Sequence, residues 1–220
     1  MSRPRLALWL AISAIAIPLA SDATPTAGSW RRNVVLGDNA TDAFLLRNEW
    51  SQPGSYYCAN EKVSIVRVRL TDWSAQETWV LRQVAYGQDM KTFEWHITDT
   101  DSSSVDLAEI LRRFKVRPVF AEGWRERFGI DSTGVWVDHN RVVVATMADL
   151  RRHIPDLSSE PSIVRVDRTN GPATGQGYWY LTIRSGACAG DVDWFEDVLM
   201  VPEQKVLDAW KVEPIIPRSK

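Results

Sequence analysis

Between Lys62 and Thr98 apolar side chains recur at every second position, a period that belongs to strands. Val63 and Ile65 alternate, after which Val66, Val68 and Leu70 continue on the opposite phase, as a bulge would produce. Thr78, Val80, Val84 and Tyr86 share one face of the next segment, opposite Trp79, Leu81 and Ala85, so both faces are expected to be covered. Gly87-Gln88-Asp89 turns the chain, and Phe93, Trp95 and Ile97 then alternate with Thr92, Glu94, His96 and Thr98. These segments predict an antiparallel meander near residues 62–98.

The rest of the chain mixes short elements. Asp99–Ser103 reads as a polar break, and Ser103 with Asp106 three residues on resembles a capping box for a helix carrying Leu107, Ile110, Leu111 and Phe114. That helix must end before Pro118, because the residue preceding a proline leaves the α region. A shorter helix is expected from Glu122 to Phe128. Val135–Val137 and Val142–Val144 predict a hairpin about Asp138-His139-Asn140. Thr146 is placed to cap a helix through His153, and Ile163–Val166 and Tyr178–Ile183 read as a strand pair. Pro202 opens an expected last helix through Trp210. Residues 24–33, with Thr, Pro, Gly and Ser, read as a loose arm. The expected fold is therefore α+β: a mainly antiparallel sheet packed with three or four short helices.

Residues 1–23 read as a signal peptide. Arg3 and Arg5 precede an apolar run from Leu6 to Ile17 broken only by Ser13, Pro18 ends it, and Ser21-Asp22-Ala23 offers small residues for cleavage. The run is too short for a membrane span. The expected mature chain is a single globular domain, 24–220, periplasmic or extracellular, with no membrane span. With 45% hydrophobic and 25% charged residues it has the composition of a folded globule. A formal charge of −2 lacks the basic footprint of a nucleic-acid binder, so no nucleic-acid partner is expected.

Cys58 and Cys188 are the two cysteines, and in an oxidising compartment they are expected to form one disulfide. The rival reading makes Cys188 a nucleophile among the small residues Ser185–Gly190. Asn39-Ala40-Thr41 fits a glycosylation triplet. His96, His139 and His153 fall in no zinc spacing, and no serine elbow or phosphate loop is present. No cofactor or metal is expected. Asp191, Asp193, Glu196 and Asp197 form an acidic run that reads as a solvated face, with calcium binding as its alternative. Six basic side chains between 112 and 127 face the opposite problem: they either pair with that acidic run or steer a charged partner.

Of eleven tryptophans, Trp9 lies in the leader and ten remain. Trp79, Trp95, Trp136 and Trp179 fall in predicted strands and are expected in the core. Trp30, Trp50, Trp73, Trp124 and Trp194 lie near loops and element ends. Tryptophan and arginine dominate binding hot spots, which makes Trp73, Trp124, Trp194, Arg113, Arg117 and Arg125 the candidate binding residues. No catalytic residue is assigned. The expected function is an exported, non-enzymatic binding protein, an inhibitor or immunity-type protein acting on a secreted enzyme, with another protein or a glycan as partner. The alternative is an envelope hydrolase or glycan-modifying enzyme pairing Asp99 or Asp101 with Glu94 or Asp131.

Overall fold

The computed structural model describes residues 28–52, 57–121, 124–138, 141–154, 157, 160–169, 177–186 and 193–211. The expected leader lies outside them, as do Cys188, Asp191 and His139. The molecule is mostly β, 62% strand, with a closed five-stranded barrel and three short helices among the described residues. This corrects the expected α+β packing.

A long meander leads into the barrel. β1 (Ser29–Asp38), β2 (Asp42–Ser51), β3 (Cys58–Arg69), β4 (Ala75–Gln88) and β5 (Trp95–Ser102) pair antiparallel in sequence order. The other edge of β1 is shared. Its first half, Trp30–Arg32, runs parallel to Trp194–Glu196 of β12 (Trp194–Pro202), while Gly37 and Asp38 pair with Pro118 and Arg117 of β6 (Arg117–Ala121). β6 continues to β10 (Ser162–Thr169), β10 to β11 (Tyr178–Gly186), and β11 back to β12, so the ring closes. Closure removes the edges that an open sheet would expose. Gly37 permits the change of partner on β1: a Cβ there would sit 2.0 Å from the Arg117 carbonyl oxygen. A separate three-stranded sheet of β7 (Phe128–Asp131), β8 (Gly134–Val137) and β9 (Val142–Thr146) covers the barrel.

Three apolar clusters hold these parts. Trp179, Leu181, Ile183, Leu199 and Val201 point outward from the barrel onto Val135, Val137 and two helices, α2 (Met147–His153) and α3 (Glu203–Lys211). Tyr180, Val198 and Met200, the alternate residues of the same strands, meet Val35, Leu45, Val66 and Val68. Phe44 and Ile65 take the reverse face of β2 and β3 and pack against α1 (Leu107–Arg113). Ile65 and Val66 thus serve different clusters, which is why the apolar phase of β3 slips. The pairing irregularity beside it falls where Val63 and Ser64 meet Arg82 and Val80, leaving Leu81 of β4 as the extra residue.

The hairpin β8–β9, the strand pair β10–β11 and the helix capped by Thr146 lie where the sequence places them. Thr146 and Asp149 form a reciprocal capping box. The cap of α1, however, is Asp106, which accepts from the Ala108 and Glu109 amides, and Asp99–Ser102 belongs to β5 rather than to a break. The helix expected over 122–128 is a 3-10 turn at Trp124–Arg127. The arm expected at 24–33 is, from Ser29 on, strand β1. The acidic run is corrected too: Glu196 and Asp197 are buried in β12, where Glu196 pairs with Arg32 at 3.0 Å and Arg184 at 2.5 Å, and Asp197 with Arg31 at 2.7 Å. These ion pairs conceal β1 and β12 from a reading based on apolar period.

Candidate functional site

The end of the β4–β5 hairpin carries an unusual concentration of apolar surface. Five large hydrophobic residues are exposed among the described residues, and four of them, Tyr57, Met90, Phe93 and Ile97, belong to this end. Phe93 and Ile97 are 64% and 61% exposed. Tyr57 joins through its carbonyl, which accepts from the Gln88 amide at 2.8 Å. Clustered exposure of this kind marks interaction surface rather than scatter.

The turn that presents Phe93 is firmly built. The Asp89 carboxylate accepts from the Lys91 and Thr92 amides at 2.7 and 3.0 Å, which holds its pKa below the ordinary carboxylate range. Phe93 donates its own amide to the Asp89 carbonyl at 2.8 Å, and Gln88 donates its side-chain amide to the Phe93 carbonyl at 2.7 Å. These bonds keep Phe93 at φ +59°, a left-handed conformation that costs an aromatic residue about 1–2 kcal/mol. β5 itself is an edge strand, paired to β4 alone, with seven of its eight residues exposed. Its outer edge offers unpaired backbone groups beside the apolar patch.

An aromatic band adjoins this end. Trp194, Trp30 and Trp50 are register neighbours on β12, β1 and β2. Trp30 and Trp194 stack at 5.3 Å, and Trp50 contacts Tyr86 at 5.2 Å and Trp95 edge-on at 5.9 Å. Buried Glu61 lies beneath, accepting from the Tyr86 hydroxyl at 2.9 Å, Arg82 at 3.1 Å and Asn48 at 3.3 Å. Burial first, and then the Glu61 carboxylate, push the Tyr86 hydroxyl up to about 12, so it remains a donor throughout the physiological range.

The sequence-derived binding residues are not gathered in one place. Trp194 joins the aromatic band, with Arg184 over its ring at 5.5 Å. Trp73 is half-buried in the β3–β4 turn, packed against two of the apolar clusters and stacked on His153 at 4.3 Å. Arg113 ends α1 and lies over Phe114, Arg117 pairs with buried Asp38, and Arg125 donates to the Ile163 carbonyl at 3.0 Å. Trp124 opens the 3-10 turn, and its side chain lies outside the described residues. Cys58 is exposed at the start of β3, while the expected disulfide to Cys188 falls outside the described residues. Asn39 donates its amide nitrogen, the atom a glycan would occupy, to the Phe114 carbonyl at 3.2 Å.

Of the carboxylates proposed for hydrolysis, Glu94 directly precedes the strand of Asp99 and Asp101, and Asp131 is held apart from them. Asp99 and Asp101 lie exposed on β5, whereas Asp131 is on β7 of the other sheet, bonded to Thr133 and Arg141. Those bonds, Thr133 foremost, hold Asp131 below its ordinary value, the opposite of what a proton donor needs. Sequence reasoning missed Met90, Phe93 and Ile97. Alternation placed Phe93 in the strand with Ile97, whereas the strand begins at Trp95 and Phe93 lies in the turn, and no residue pattern shows that nothing covers either side chain.

No helix among the described residues is long and apolar enough to cross a membrane. Comparison with protein-family models, with curated proteins and with solved structures finds no match to this chain.

Proposed function

We propose that this chain is an exported, non-enzymatic binding protein that holds another protein on the free end of its β4–β5 hairpin. The observation that supports this reading is the ordered turn at Asp89–Phe93, which displays Phe93 at the same end of the hairpin as exposed Met90, Tyr57 and Ile97. A turn that sustains a strained backbone to expose an aromatic ring does so at a cost that solubility alone does not demand. Rigid aromatic anchors of this type form the centre of protein interfaces. The adjacent edge of β5 lets a partner add backbone hydrogen bonds, which supply affinity while the side chains supply choice. An inhibitor or immunity-type role toward a secreted enzyme is the finer form of this reading, since a preorganised rigid surface suits tight one-to-one binding.

The experiment is affinity capture from envelope extract, with wild-type protein and a Phe93→Ser, Ile97→Ser double variant side by side. Both positions are exposed, so the variant should melt as the wild type does. A protein recovered by the wild type and lost by the variant supports the reading. Recovery of no protein across ionic strengths, or equal recovery by both, overturns it.

A further inference from the structure

A second surface lies on the reverse of the same sheet. Phe195, Arg31, Glu49, Lys62, Gln83 and Asp101 follow one another in register across β12, β1, β2, β3, β4 and β5. Glu49 flanks Trp50 in its strand, so alternation turns this row away from the tryptophan band. Ser29, Ser51 and Asn60 make the next row. These rows as far as Gln83, with Trp30 and Trp50 between them, line a cleft of about 410 Å³, in the size range of small-ligand sites.

The pairing of these groups is uneven. Arg31 is committed to Asp197 at 2.7 Å and lies over the Phe195 ring at 5.1 Å. Behind it Asn33 donates to Asp197 and accepts from Arg47, whose burial lowers its pKa. In contrast, the side chains of Asn60, Lys62 and Gln83 are not drawn into this network, and Glu49 enters it only through its charge, which acts on Arg47. They stand on three neighbouring strands about 4.8 Å apart. A carboxylate, an ammonium and two amides are thus held side by side, with Glu49 and Lys62 opposite each other in register.

We infer that this cleft binds a neutral oligosaccharide. Of the charges lining it, Arg31 is neutralised by Asp197 behind the cleft and Lys62 stands opposite Glu49, which leaves little net pull on an anion or a cation. Its polar groups are too many for an apolar ligand, whose entry would strip them of water without replacing the hydrogen bonds. A polyhydroxylated ligand supplies both donors and acceptors, matching acceptor Glu49, donor Lys62 and the two-way amides of Asn60 and Gln83. This inference stands apart from the hairpin reading, since no residue lining the cleft belongs to the patch of Tyr57, Met90, Phe93 and Ile97.

The test is a ¹⁵N NMR titration of the protein with maltotriose, cellotriose and N,N′,N″-triacetylchitotriose. At least one sugar is expected to give saturable shifts of the Asn60 and Gln83 side-chain amides. Glu49→Ala and Lys62→Ala should each weaken that binding at least tenfold, while Phe93→Ser leaves it unchanged. Thermal melts of each variant establish that the fold is retained. Absence of shifts with all three sugars at about 10 mM overturns the inference, that concentration reaching even weak sites. Shifts that map to other residues, or that survive both cleft substitutions, overturn it as well.

Discussion

Tyr180 donates its hydroxyl hydrogen to Asp38 at 2.5 Å, across 142 residues of sequence. Asp38 is fully buried, and it also accepts from Thr169 at 3.2 Å and from Arg117 at 2.5 Å. The four residues come from β1, β6, β10 and β11, so one carboxylate ties four of the five barrel strands. Burial, and then the Asp38 charge, push the Tyr180 hydroxyl well above its ordinary value, so it stays protonated and keeps donating to Asp38.

Removing this carboxylate should therefore be felt throughout the barrel. Asp38→Ala leaves the Tyr180 hydroxyl and the Arg117 guanidinium without their acceptor, and is expected to cost about 3–5 kcal/mol in urea unfolding. Tyr180→Phe keeps the shape and removes one bond, with an expected cost of about 1–2 kcal/mol. Equal small losses in both variants would show that the network is incidental.

Gly37→Ala should destabilise through geometry alone. The new methyl would meet the Arg117 carbonyl oxygen at 2.0 Å and Val116 at 2.7 Å, where backbone must move. A loss of about 2 kcal/mol or more is expected. Amide exchange should rise first along β6 and β1, because the clash sits where those strands close the ring.

Asp167 carries a pH signature of its own. It is buried on β10, and burial holds its pKa above the ordinary carboxylate value while Arg165 pulls the other way. The fold thus favours its neutral form. That contribution is complete below the unfolded carboxylate value and is lost as pH rises through the raised folded value. Asp167→Asn should melt higher than the wild type at neutral pH, with the gap closing as the medium is acidified. A wild type that melts higher at pH 7 would show that the Arg165 pair outweighs burial. Asp149, held below its ordinary value mainly by Thr146, works in the opposite direction: its contribution is present above the unfolded value and fades as pH falls through the folded one.

Phe93 should trade stability for binding. Glycine adopts φ +59° without strain, so Phe93→Gly is expected to raise stability by about 1 kcal/mol. The same change removes the exposed ring and should abolish partner capture. A variant less stable than the wild type would mean that Phe93 is held by packing, contrary to its exposure.

Local chemistry was readable where a single segment decides it. Thr146 with Asp149 announced a helix start, Pro118 a helix limit, and the Val135–Val144 stretch a hairpin, because caps, prolines and turns act within a few residues. β1 and β12 were not readable. Arg31, Arg32, Glu196 and Asp197 look solvated in a string of letters, and become half-buried or buried only because the two strands lie side by side, 164 residues apart in sequence at Arg32 and Glu196. The candidate site divides in the same way. Trp194 and Trp50 stood out as tryptophans near element ends, yet alternation could not show that Phe93 would fall in the turn or that Ile97 would stay uncovered.

By itself, the sequence determined the period-two segments of the meander and of the two later strand pairs, the Thr146 cap and the tryptophan-rich composition, since each follows from backbone sterics and side-chain patterning over short range. Tertiary structure alone decided that β1 would close a barrel, which charged pairs would be buried, and that β5 would be left at an edge. Those outcomes depend on which distant strands meet, and a hydrophobic or ionic side chain acquires its role only from the surface that is, or is not, packed against it.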